Sequence, residues 1–178
     1  DHGLAAECGR GMAREARDRG SNVLLAGGPN VERDAWNGRN FEYLGEDPIL
    51  AGRIVTAQLR GIQSQGVVST VKHLVANSQE TDRTVVDMSA DERSLREIDL
   101  LPFEIAVKES GVGSVMCAYN RVNGVYACES PRLINDFLKA EWGFKGWVMS
   151  DWGATHSTVL SANAGLDQEL WEERYFGG

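Results

Sequence analysis

Apolar positions along the chain switch repeatedly between a helical spacing and short continuous runs. Leu4, Cys8, Met12 and Ala16 recur four apart, which predicts a helix over 3–19 with Cys8 on its buried face, stopped by Gly20. Residues 22–26 are a short apolar run ending at Gly27, Gly28 and Pro29, read as a strand. A long loop rich in Asn, Arg, Gly and aromatic residues reaches Asp47. Pro48 then opens a helix that runs to about Gln65 and stops at Gly66. The run 67–71 is the next strand, ending at Lys72-His73; a polar loop covers 77–83, and 85–88 reads as a further strand or hairpin arm. Ser89 and Glu92 have the spacing of a capping box, predicting a helix to about Ser110 with an interruption at Pro102. A strand over 113–118, a helix over 131–141, a strand over 147–149 and a helix over 154–164 complete the pattern. Alternating strand and helix predict parallel strands with crossover helices, an α/β fold.

Composition narrows the partners. With 18 basic and 26 acidic residues the formal net charge is -8, which argues against a nucleic-acid or anionic-membrane partner. No apolar run approaches the roughly 20 residues of a membrane span. The 178 residues suffice for one domain but are short for a complete eight-stranded α/β barrel, which takes about 250. The chain starts at Asp1 rather than Met, and Glu172 to Gly178 carry no helix stop, so the expectation is an internal piece of a longer enzyme, in which no signal peptide would be visible. The three cysteines form no CxxC pair and no Cys/His cluster with zinc spacing, so no metal is expected. Cys117 and Cys128 flank a turn-like stretch, and both a local disulfide and two buried thiols fit that placing. Gly27-Gly28 is not part of a GxGxxG fingerprint, and the loop around Asp82 lacks calcium-loop spacing; no cofactor is expected.

Chemistry gathers at the strand ends. The loop after the first strand carries Arg33, Asp34, Asn37, Arg39, Asn40, Glu42, Glu46 and Asp47; the second strand is followed by Lys72 and His73, the third by Tyr119 and Asn120, and the last by Asp151 and Trp152. In an α/β barrel these tips share one mouth. Together they deliver carboxylates, cations, an imidazole and flat aromatic rings, an inventory suited to sugar hydroxyls and the C–H face of a pyranose. Retaining glycoside hydrolysis needs one ionised carboxylate as nucleophile and a second carboxyl group as acid/base. Each residue also has a plainer reading. Asp151 is well placed to N-cap the helix expected from Ala154. Arg39 has Glu42 and Asp47 as loop partners, Lys72 reads as an exposed strand-end cation, His73 as a satisfied structural histidine, and Met116 and Trp152 as packing residues. Ser150 and His156 near Asp151 suggest a hydrolase triad, but the strand–GxSxG–helix elbow is missing.

The stretches Gly38-Arg39-Asn40-Phe41-Glu42 with Gly45-Glu46-Asp47-Pro48, Lys72-His73, Val115-Met116-Cys117-Ala118-Tyr119-Asn120, and Gly143-Phe144-Lys145-Gly146 running into Ser150-Asp151-Trp152 resemble, in this order, glycoside hydrolase family 3 and its β-glucosidases. The resemblance implies an incomplete (β/α)8 TIM-like barrel, part of the family's N-terminal domain. It implies retaining, exo-acting hydrolysis of terminal β-linked glucosyl residues, with a β-glucoside or oligosaccharide as substrate. Asp151 matches the nucleophile; Arg39, Lys72 and His73 match residues that hold the hydroxyls of the terminal sugar. Tyr119 matches a tyrosine beside the nucleophile, Met116 lines the same pocket, and Trp152 matches the aromatic residue at its mouth. Cys117 and Cys128 look like a pair that is disulfide-linked in some secreted members, which sets the expectation of a periplasmic or secreted protein. The acid/base glutamate would come from a C-terminal domain absent from this chain, and an aspartate for the far hydroxyls would lie upstream of Asp1, so residues 1–178 alone are expected to be inactive. The region 74–82 lacks the Gly-His-Gly pattern of the N-acetylglucosaminidase branch. A β-xylosidase or α-arabinofuranosidase of the same family, a non-catalytic carbohydrate-binding barrel, and a barrel aldolase acting through Lys72 are the competing functions.

Overall fold

A computed structural model describes residues 1–171 and 174–177; Glu172, Glu173 and Gly178, in the tail that carries no stop signal, lie outside the described residues. Helix α1 (His2–Asp18) leads through β1 (Val23–Leu24) and a long loop into α2 (Pro48–Gln63) and β2 (Val68–Leu74). After β3 (Asp87–Met88), a continuous helical stretch is built from α3 (Glu92–Ser94), a wider π-type segment (Leu95–Leu100) and α4 (Leu101–Ser110). Then come β4 (Ser114–Cys117), the hairpin β5 (Arg121–Val122) and β6 (Val125–Tyr126), a second wide helix (Arg132–Glu141), β7 (Trp147–Ser150) and α5 (Val159–Ala164).

The main sheet has four strands in the order β1-β2-β4-β7, all parallel, with helices as crossovers; this is the open-sheet form of a TIM-like α/β barrel. Strands β3, β5 and β6 form a small second sheet beside the tips. Asn123 and Gly124 take the positive φ values (51° and 88°) that a tight hairpin turn requires between β5 and β6. The core lies between the main sheet and its helices, where Val71, Leu74, Val115 and Val148 of the strands meet Leu59, Phe103, Ile134, Phe137 and Leu138. Each such side chain contributes about 1.5–3 kcal/mol through burial.

At the N-terminal end of the strands the backbone itself is the packing surface. A Cβ on Gly146 would overlap the Gly113 carbonyl, and one on Gly113 would crowd the Val68 Cγ1 atom. At the opposite end Cys117 and Cys128 are disulfide-bonded, with 5.3 Å between their Cα atoms. The bridge ties the end of β4 to the turn Ala127–Glu129 that follows the hairpin. The free edge of β7 is covered by its own downstream chain: the Asp167 and Gln168 N–H groups donate to the Val148 carbonyl, and the Ser150 N–H donates to the Gln168 carbonyl.

Four local expectations change. Cys8 and Leu4 are exposed, because α1 turns Gly9 and Ala13 inward. Gly9 abuts the Gln58 carbonyl and Gly61 the Ala6 carbonyl, so the two helices meet backbone to backbone and not through the larger stripe. The helix after β3 is capped by Asp91, whose Oδ1 accepts from the Ser94 N–H at 3.0 Å, and Ser89 lies outside it. The widened segment Leu95–Leu100 falls just before Pro102, which cannot donate a backbone hydrogen bond. Strand β2 continues to Leu74, so Lys72 and His73 sit inside it, at a shift in its register with β4; the Lys72–His73 and Leu74–Val75 peptides are cis.

Candidate active site

The tips of β2, β4 and β7 and the loop after β1 converge around Asp151. Its position is fixed by the main chain: the Asp151 N–H donates to the Cys117 carbonyl at 3.1 Å, continuing the β4–β7 ladder by one residue. The expected final helix starts at Val159 instead of Ala154, which removes Asp151 as its N-cap. The carboxylate is 7% exposed. Its Oδ1 accepts from the Trp152 N–H at 2.7 Å, while Oδ2 has no hydrogen-bond partner among the described residues. Oδ2 instead faces Arg39 Nη1 at 3.9 Å and His73 Nε2 at 3.5 Å.

His73, 1% exposed, is held in its neutral form. Burial first, then the charges of Arg39, Lys72 and Arg83, push its imidazole well below the usual histidine value. Its contact with Asp151 is therefore not an ion pair. Arg39 Nη2 donates to His73 Nε2 at 2.9 Å, which places the histidine proton on Nδ1. The Tyr43 ring packs edge-on against the imidazole, 6.5 Å between centroids.

Arg39 serves three partners at once. It stands just before the turn Asn40–Glu42, and its Nε donates to Glu42 Oε1 while its guanidinium reaches His73 and Asp151. Lys72 Nζ lies 3.3 Å from the other Glu42 oxygen, Oε2. The loop ion pair thus leaves the Arg39 guanidinium free to face His73 and Asp151, and Glu42 is the common carboxylate that fixes both cations. Tyr119 lies two residues beyond β4, with the Arg83 guanidinium stacked on its ring at 4.4 Å. Burial and the neighbouring Asp151 charge push its phenol up to about 12, so it stays protonated at neutral pH. Met116, buried in β4, is in register with Lys72 on one side and Met149 on the other, which places its side chain on the Lys72 face of the sheet. Trp152, 44% exposed, stands at the rim and meets Trp171 edge-on, with centroids 6.4 Å apart.

The structure thus brings Arg39, His73, Tyr119 and Asp151 together, pairs Lys72 with Glu42, and gives Met116 no polar side-chain contact among the described residues. Ser150 and His156 form no triad: Ser150 Oγ accepts from the Leu170 N–H at 2.9 Å, and His156 stacks on Tyr126 at 3.7 Å. Three participants escaped the sequence reading as site residues. Glu42 was signalled as a charged loop residue and loop partner of Arg39 within the Gly38–Glu42 stretch, but not as the group that holds both cations. Arg83, held by Glu80 at 2.7 Å, and Asn30, which meets the His73 backbone, had no signal at all. No group of three or more His, Cys, Asp or Glu side chains able to hold a metal ion occurs among the described residues.

The model of the glycosyl hydrolase family 3 N-terminal domain matches residues 1–176. A beta-glucosidase of Rhizobium radiobacter is 48% identical over 177 residues, 98% of this chain and 22% of that protein. Beta-glucosidase B of Emericella nidulans is 49% identical over 170 residues, 96% of this chain and 20% of its own length. Among solved structures, beta-glucosidase 3B from Thermotoga neapolitana in complex with glucose superposes with a TM-score of 0.94 at 48% identity, over 96% of this chain and 24% of that one. The beta-glucosidase from Kluyveromyces marxianus in complex with glucose gives 0.96 at 39% identity, over 98% and 21%. This chain thus spans about a fifth of the length of the relatives it matches. Parallel sheet, converging tips and family model agree: the chain belongs to glycosyl hydrolase family 3, within its N-terminal barrel domain.

Proposed function

We propose that the protein containing this chain is a retaining, exo-acting β-glucosidase with Asp151 as its nucleophile. The observation that carries the reading is the buried Oδ2 of Asp151, which faces Arg39 and His73 with Tyr119 nearby and accepts no hydrogen bond of ordinary geometry among the described residues, while Oδ1 is fixed by a backbone N–H. A nucleophilic carboxylate needs one oxygen that can reach the anomeric carbon and one that is anchored. In the first step Oδ2 bonds to the anomeric carbon as the bond to the leaving oxygen breaks, and an acid elsewhere gives that oxygen a proton. In the second, water deprotonated by the same group displaces Asp151 and releases the sugar. Arg39, Lys72 and His73 would hold the hydroxyls of the terminal glucosyl unit, Tyr119 would support the nucleophile, Met116 would line the pocket, and Trp152 would form its rim. Beta-glucosidase relatives and neighbours whose structures hold glucose support the glucoside substrate.

In this proposal the acid/base comes from outside this chain, a reading that the contacts of Glu42 support. Both oxygens of Glu42 are engaged, one by Arg39 and one by Lys72, so neither is free to reach a leaving group. The Cys117–Cys128 disulfide supports a periplasmic or secreted location, where such bonds persist.

The test is mechanism-based labelling. A 2-fluoro glucoside incubated with the full-length protein should leave one glycosyl group on the peptide that contains Asp151, located by mass spectrometry. A label on any other carboxylate, or retained glucose binding with no label, would overturn the assignment.

A further inference from the structure

Asn30 lies in the loop after β1, 2% exposed and ahead of the Gly38–Glu42 stretch in the same loop. Its side chain pairs with both main-chain groups of one residue. Asn30 Oδ1 accepts from the His73 N–H at 2.8 Å, and Asn30 Nδ2 donates to the His73 carbonyl at 2.9 Å. The preceding residue of β2 is held in the ordinary way, by its N–H to the Gly27 carbonyl at 2.8 Å. Paired β1 and β2 residues stop at Leu24 and Ser69, so beyond Gly27 the asparagine amide takes over from the ladder.

That substitution has a consequence for the site. The loop that holds Asn30 also carries Arg39, and the strand that it grips carries Lys72 and His73. Arg39 Nη2 meets His73 Nε2 at 2.9 Å, and both face Asp151 Oδ2. A side-chain amide offers one acceptor and a donor pair in one plane, the pattern a peptide group needs, and both bonds are buried. We propose that Asn30 is a positioning residue for the reaction: it fixes the His73 main chain relative to the Arg39 loop, and through His73 it sets the geometry around the nucleophile. The proposal rests on the glucosidase reading above.

The experiment uses the full-length protein and compares Asn30→Ala with the unaltered enzyme on an aryl β-glucoside. Rates are normalised to active sites counted with a 2-fluoro glucoside. Displacement of a binding group by a fraction of an ångström to 1 Å costs up to about 100-fold, so kcat/KM per active site should fall about 10–100-fold, and competitive inhibition by glucose should weaken. In a His73→Ala background the same substitution should cost only about 2–3-fold, because the group it positions is gone. If the losses simply multiply, Asn30 does not act through His73. If Asn30→Ala only lowers the melting temperature and leaves kcat/KM per active site unchanged, its role is structural and the proposal fails. Should Asn30→Ala not fold, Asn30→Asp, which keeps the acceptor for the His73 N–H and removes the donor to its carbonyl, gives the same comparison. An unaltered protein that does not hydrolyse the glucoside would sink the glucosidase reading and this inference with it; an active one with uncoupled losses would sink this inference alone.

Discussion

His73 shows how much of this site lies in environment and not in residue type. A Lys-His pair at a strand end is equally compatible with a surface cation and a structural imidazole; the contacts that decide come from residues 34 and 78 positions away, Arg39 and Asp151. Burial and three neighbouring cations depress its pKa, so the unfolded chain binds a proton that the folded one refuses. Stability therefore rises with pH through the window below the free imidazole value of about 6.5 and is lost as pH falls through it, by at most about 1.4 kcal/mol per pH unit from this group. Melting temperatures of the protein measured at about pH 7 and about pH 5 should separate less in His73→Gln than in the unaltered chain, and an equal separation would show that other groups dominate. Asp151 and Arg39 were legible as candidates because their residue types suit sugar chemistry at a strand tip. Glu42 was legible as a charged loop residue but not as the clamp on both cations, and Asn30 not at all, since an asparagine 43 positions from the residue it grips leaves no mark in local pattern.

At the scale of elements, hydrophobic periodicity located every crossover helix and every strand of the main sheet, because each buries one face against the core. It failed where packing used no side chain. The α1–α2 contact is made by Gly9 and Gly61 against backbone carbonyls, and a stripe of larger residues drew attention to the wrong face. Gly61→Ala should destabilise the protein by about 1–2 kcal/mol: overpacking costs about 1–3 kcal/mol, against a helix-propensity gain of at most about 1. The clash is with a main-chain carbonyl, which cannot rotate away. Gly11→Ala in α1, where an added Cβ meets nothing within 4 Å, should instead stabilise by about 0.5–1 kcal/mol. Thermal denaturation of the two variants should therefore shift in opposite directions. The last helix was placed too early for a related reason: Gly153, at φ +72°, breaks the chain away from Asp151 before α5 forms.

For the whole molecule, the α/β class was legible from alternation alone; of the three-stranded sheet beside the tips only β3 was, within the run 85–88, since β5 and β6 have two residues each and no alternation to read. The proposed division of catalytic labour is testable at this scale. Purified residues 1–178 should release aryl aglycone from a β-glucoside several orders of magnitude more slowly than the full-length protein, because Asp151 would lack its acid/base partner. Comparable rates would place that partner within this chain.

The bare glycine floor described at Gly113 and Gly146 bears on how such a domain can change over generations. Where main chain touches main chain, the constraint is on bulk: any larger residue is excluded, whatever its polarity. At the rim the constraint is reversed, for there the kind of atom presented decides the outcome and the loops have room to vary. Because the two constraints lie at opposite ends of the same strands, a substitution at the rim leaves the close main-chain contacts of the floor untouched. Packing and the face offered to a ligand rest on different residues of one sheet.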